Sequence, residues 1–204
     1  MKHIVDAHAI GLLEGNASYI LQENFVVPVT INKGTQDIII DNLHNGQIPN
    51  RAFITFVDHR AFNGSYSLNP YNFQNFGVNH MSLCVNGSPV GGPPKNPNFK
   101  KGWFGREYYD LFEVTNQDNI DTCITIKKED FANGNNIFAF RCSPDLASGG
   151  AKILGFFNPT KYGSLRLQLI FDSALGQTIT ALVYLDFDTV LEINQERNVV
   201  YDFQ

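Results

Sequence analysis

Five histidines, three cysteines and a few paired carboxylates are the side chains in this chain that could carry chemistry. A cupin-type metal site would need two histidines one residue apart on a strand, then a glutamate and a distant histidine converging on one ion. His80 is the only histidine in a strand-like stretch, and its neighbours Asn79, Met81 and Ser82 supply no ligand. His3 and His8 lie near the start, and His44 and His59 lie in turn-like sequence. Nucleophilic catalysis finds no better footing. No Gly-x-Ser-x-Gly elbow occurs, and no cysteine has a histidine close in sequence. Cys84 and Cys142 read as packing within strands. Asp186 and Asp188 share the outer face of one strand, where solvated carboxylates are expected, and Glu192/Glu196 form a second spaced pair. The glycines have no strand–loop–helix phosphate-binding context, and the Asn/Asp runs lack calcium-loop spacing. The residues therefore predict no catalytic group, no metal and no cofactor.

Composition narrows the remaining classes. Hydrophobic residues make up 43% of the 204 and charged residues 17%, enough apolar material for a core and too little charge for disorder. The net charge of −5 argues against direct binding of nucleic acid through its phosphates. No apolar run approaches a membrane span, and MKHIVDAHAIGLLEG does not read as a secretory signal, with Asp6 and two histidines inside it. Cys84, Cys123 and Cys142 are an odd, widely spaced set, expected to be free thiols in a reducing compartment. The sequons at Asn16, Asn63 and Asn86 read as products of Asn-rich turns.

The elements that would position any site are mostly strands. Period-two alternation places Leu165, Leu167, Leu169 and Phe171 on one face of 163–173, with Arg166, Gln168 and Asp172 opposite. It places Ile179, Ala181, Val183, Leu185 and Phe187 on the inner face of the next strand. Residues 51–58, RAFITFVD, are apolar on both faces, as in a strand buried between layers. Further strands are predicted at 25–31, 36–41, 78–85 and 136–142, and one or two short ones in the tail 189–203. Pro28 puts the first of these at an edge or on a bulge. Short helices are expected at 104–114, laying Tyr108, Leu111 and Phe112 on the sandwich, and at 127–132, closed by a left-handed cap at Asn133-Gly134. Long connections fall at 59–77, 86–103 and 143–162. About eight strands with such excursions predict an all-β, antiparallel two-sheet jelly-roll sandwich filling 1–204 as one domain, with 1–18 as a lead-in.

Three long stretches carry a resemblance. IPNRAFITFVDHRAFNGSYSLNPYNFQNFGVNHMSLCVNG (48–87), NGNNIFAFRCSPDLASGG (133–150) and GSLRLQLIFDSALGQTITALVYLDFDTVLEINQERNVVYDF (163–203) resemble, in the same order, the double jelly-roll major capsid proteins of Polinton/Maverick-type, adintovirus-like elements. Members of that family generally carry two jelly rolls per chain, and the matching stretches belong to the C-terminal one. Arg141 stands where the family often has an acidic residue. The resemblance implies a structural, non-catalytic virion protein, made in the cytoplasm or nucleus of the host cell, not secreted, and not bound to membrane. It implies partners that are further copies of itself (a homotrimer in the full-length protein) and other capsid proteins. The competing reading of the residues is a non-catalytic jelly-roll binding module, lectin-like or tumour-necrosis-factor-like.

The resemblance also singles out an aromatic set. NPYNFQNFG (69–77) spaces Tyr71, Phe73 and Phe76 with asparagines, a pattern belonging to neither helix nor strand face. With Phe62, Tyr66 and Trp103 these rings form the candidate subunit-contact residues. Packing of the loop on itself is the other reading.

Overall fold

Alternation sets the inner layer first. On β7 (Tyr162–Phe171) Leu165, Leu167, Leu169 and Phe171 are buried while Arg166 faces solvent. On β8 (Ile179–Ile193) Ile179, Ala181, Val183, Leu185 and Phe187 turn the same way. The computed structural model describes residues 15–118, 124–142 and 162–201, together with 3, 7 and 10–12. Among the described residues seven further strands surround these two: β1 (Ala17–Ile31), β2 (Asp37–Gln47), β3 (Arg51–Asp58), β4 (Val78–Val85), β5 (Ser88–Pro89), β6 (Phe138–Arg141) and β9 (Val199–Tyr201).

One sheet has the order β1-β8-β3-β6, with β9 also paired to β8, and the other has the order β2-β7-β4-β5. Every pairing is antiparallel. The pairs β1·β8, β2·β7, β3·β6 and β4·β5 are nested, each inside the previous one. A long hairpin rolled over itself gives this order, and that is the jelly roll. The two inner faces interdigitate around Phe56, Met81, Phe138 and Phe171, all fully buried.

Pro28 lies on β1, the edge strand, as its missing N–H requires. That strand begins at Ala17, within the expected lead-in. The tail of β8 pairs with it residue for residue from Ala17↔Ile193 to Ile31↔Ile179. The edge strand β2 carries an irregularity between Ile40 and His44. His44 was expected in a turn and instead lies in β2, its ring 5.1 Å from Phe187 and 6.0 Å from Phe25. The extra residues at the irregularity hold Asn42 at φ 55 and re-aim the strand so that this ring packs.

The single turn α1 (His59–Phe62) lies within the connection 59–77, and the helices α2 (Gly105–Val114) and α3 (Lys128–Ala132) cover the outside of the first sheet. Phe104, Leu111, Val114 and Phe131 make a second apolar cluster, and Phe53 and Ala139 reach it from the sheet. The apolar character of RAFITFVD on both faces has this cause: Ala52, Ile54 and Phe56 fill the sandwich while Phe53 meets the helical layer. Both local helix expectations hold in part. Helix α2 turns Glu107, Leu111 and Val114 inward, with Tyr108 half-buried and Phe112 at the flank, 4.9 Å from the Tyr108 ring. The left-handed residue after α3 is Gly134 at φ 102, whereas Asn133 keeps φ −133. The connection 143–161 and Cys123 lie outside the described residues.

Candidate subunit-contact surface

The asparagines of NPYNFQNFG are turn builders. Asn69 Oδ1 accepts from Tyr71 N at 3.0 Å, and Asn75 Oδ1 accepts from Gly77 N at 2.9 Å, each closing a local side-chain turn. Asn75 Nδ2 also donates to Ala132 O at 2.9 Å, tying the loop to the end of α3. Backbone bonds finish the attachment: Phe73 N donates to Gly134 O at 2.8 Å, Asn136 N to Phe73 O at 3.0 Å, and Gln74 N to Phe56 O at 3.1 Å. The loop is therefore a fixed part of the sandwich. Its rings are free to differ in direction, and they do.

Phe73 and Phe76 are half-buried, and Phe76, held at φ 46, packs on the main core. Tyr71 is 75% exposed, Trp103 68% and Phe62 44%, and Tyr66 is fully exposed. Trp103 sits on a small loop closed by paired backbone bonds with Asn98, and Lys101 Nζ lies 4.9 Å from its ring centroid. The six candidate residues thus divide into two inward rings and four outward ones. The edge strand β1 adds exposed apolar side chains that the sequence reading did not single out: Tyr19, Leu21, Phe25 and Val26. A long edge strand with such residues is itself a ready pairing surface.

Two of the histidines are engaged in hydrogen bonds. His80 Nδ1 lies 2.7 Å from Asn96 Oδ1, and the His59 ring sits between Thr180 Oγ1 and Asn63 Nδ2, each at 2.9 Å. Among the described residues, no three of His, Cys, Asp and Glu are grouped to hold a metal ion. Asp186 departs from expectation. It is 2% exposed rather than solvated, and it accepts from Arg51 Nε at 2.7 Å with Nη2 at 2.5 Å. The register places Arg51 opposite it on β3, a proximity invisible along the chain. Burial and the nearby Asp186 carboxylate raise the Tyr184 hydroxyl pKa above its usual value. Arg141 pairs with α2 through Glu113 Oε1 at 3.3 Å.

Cys84 and Cys142 are both free thiols. Cys142 is half-buried, and desolvation where it packs on the core pushes its thiol up to about 12. Since the thiolate is the reactive form, Cys142 should label far more slowly than an ordinary exposed cysteine until the protein is denatured. Timed alkylation read by peptide mass checks this, and fast native labelling of Cys142 would show that its thiolate is not suppressed.

No family model matches the chain. It is 28% identical over 174 residues to a protein of Caenorhabditis elegans described only as uncharacterized, covering 84% of this chain and 41% of that protein. Among solved structures, the capsid of the virus PBCV-1 superposes with a TM-score of 0.54 at 9% identity, over 92% of this chain and 52% of that one. The PBCV-1 VP54 protein, fitted into a reconstruction of the virophage Sputnik, gives a TM-score of 0.52 at 10% identity with the same coverage. The fold is a capsid-type jelly roll. This chain spans about half the length of those viral chains and 41% of the worm protein. No helix among the described residues is long and apolar enough to cross a membrane.

Proposed function

We propose that this chain is a structural, non-catalytic capsid protein: the C-terminal jelly roll of a double jelly-roll major capsid protein of the Polinton/Maverick kind, or a shortened or host-captured relative. The observation that carries the reading is the nested strand order, superposed over 92% of the chain on half of a viral capsid protein. The sequence likeness to a protein of an animal fits a captured relative. In this reading the chain meets other copies of itself and other capsid proteins in a virion, with no direct hold on nucleic acid. Tyr66, Tyr71, Trp103 and Phe62 are the side chains offered to a neighbouring subunit.

Isolated jelly rolls should then self-associate with increasing concentration, toward trimers, because exposed apolar side chains grouped on a surface mark interaction sites. Sedimentation equilibrium reads the effect. Tyr66→Ser and Tyr71→Ser together should move the population toward monomer with little change in melting temperature. A wild-type protein that stays monomeric at the highest attainable concentration would refute the proposal.

A further inference from the structure

At one end of the sandwich the two sheets part around a groove of about 530 Å³. Glu23 and Phe25 of β1 line it, with Phe187 directly opposite Glu23 on β8 and Asp188 beside it. His44 of β2 and Tyr162 of β7 face them from the other sheet, and Gln47 Nε2 ties that sheet to Asp188 O at 3.2 Å. Phe25 is 53% exposed and Tyr162 61%, so their rings are within reach from outside. Among the described residues that line the groove, the only side chains of fixed charge are the carboxylates of Glu23 and Asp188. The groove is therefore aromatic and negative.

The opposite end carries a feature of complementary character. Residues 98–103, NFKKGW, make a tight loop. Asn98 N donates to Trp103 O at 2.7 Å and Trp103 N to Asn98 O at 2.9 Å, Asn98 Oδ1 accepts from Lys101 N at 3.0 Å, and Gly102 takes φ 71. Trp103 and Lys101 are exposed, with the ammonium 4.9 Å from the ring centroid, and Lys100 is exposed beside them. Lys100 Nζ reaches Asp172 Oδ2 at 3.3 Å, one residue past the end of β7, whereas Tyr162 in the groove begins that strand. Ten residues of strand put about 30 Å between the two features. The loop of one molecule cannot enter its own groove.

We propose that the 98–103 loop of one copy seats in the groove of a second copy, the Trp103 indole against Phe25, His44 and Phe187 and Lys101 Nζ on the Glu23 carboxylate. The contact presupposes the self-association proposed above and supplies the surface that meets Trp103. Two exposed ammonium groups then face two carboxylates, and such complementarity fixes register and speeds encounter. An indole supplies a large apolar area with a cation already over its face, the kind of anchor that dominates an interface. Its loop is held by its own backbone bonds, so little order is lost on docking. A carboxylate accepts from more than one donor, so Glu23 takes the ammonium alongside its contacts within the chain. Because the two surfaces differ, the contact is head-to-tail, the kind that closes a ring of copies when the rotation between them allows.

Sedimentation of the whole chain beside charge-reversed variants tests the contact. Trp103→Ser, Lys101→Glu and Glu23→Lys should each weaken self-association about tenfold or more, with native circular dichroism retained. Lys101→Glu and Glu23→Lys in one chain should restore it, since opposite charges then meet again. Arg197→Glu with Glu23→Lys gives the same net charge, leaves the loop untouched and should not restore it. A wild type that associates and responds to none of these changes would leave the capsid reading standing and overturn the contact. Equal recovery with Arg197→Glu would show net charge alone at work and overturn it as well. A wild type that stays monomeric would overturn both.

Discussion

Phe171→Ala should destabilise the protein by about 3–5 kcal/mol, the cost of emptying a large buried ring site. Phe171 is wholly buried between the sheets and meets the Phe56 ring edge-on at 6.0 Å. Its neighbours belong to strands held in both sheets, so they cannot collapse into the space without breaking register. Three residues earlier, Gln168 points to the outer face of β7 and is half-buried. Gln168→Ala should stay within about 0.5 kcal/mol. Chemical denaturation of the two variants reads the difference. Equal losses would mean that the faces of β7 are assigned the wrong way round.

Asp186→Ala should cost a comparable amount, about 3–5 kcal/mol, for an electrostatic reason. The change leaves the Arg51 guanidinium, 16% exposed, beside an apolar gap with its carboxylate gone. Most of the penalty is the uncompensated charge, so joint replacement of Arg51 and Asp186 by apolar residues of similar volume should recover much of it. Arg60 provides the contrast. Its side chain is 70% exposed and its pairing with Asp58 is screened by water, so Arg60→Ala should change stability far less than Asp186→Ala. Denaturation midpoints for the Asp186, Arg60 and double variants would decide the matter. A loss from Asp186→Ala no larger than that from Arg60→Ala would show that the carboxylate is not buried with its partner.

The two aspartates expected together on the outer face of β8 show where sequence reasoning stops. Alternation correctly sends Asp186 away from the sandwich core. What surrounds an outward residue depends on its cross-strand neighbour, and Arg51 is 135 positions away in sequence. The same holds for Lys95, whose partners come from β4, α2 and β6.

Sequence alone determined the strand faces of β7 and β8, the two-sided apolar character of β3, the restriction of Pro28 to an edge or a bulge, and the jelly-roll class. Those properties follow from local periodicity and from the chemistry of single residues. The extension of β1 back to Ala17 was not legible, because strand pairing with β8 supplies its hydrogen bonds while little burial writes a pattern into its residues. In the aromatic loop, sequence supplied the rings and the turn-forming asparagines. Only the tertiary structure decided that Phe73 and Phe76 turn inward while Tyr71 stays exposed, since the ring directions depend on where Phe56, Ala132 and Gly134 anchor the loop from elements distant in the chain.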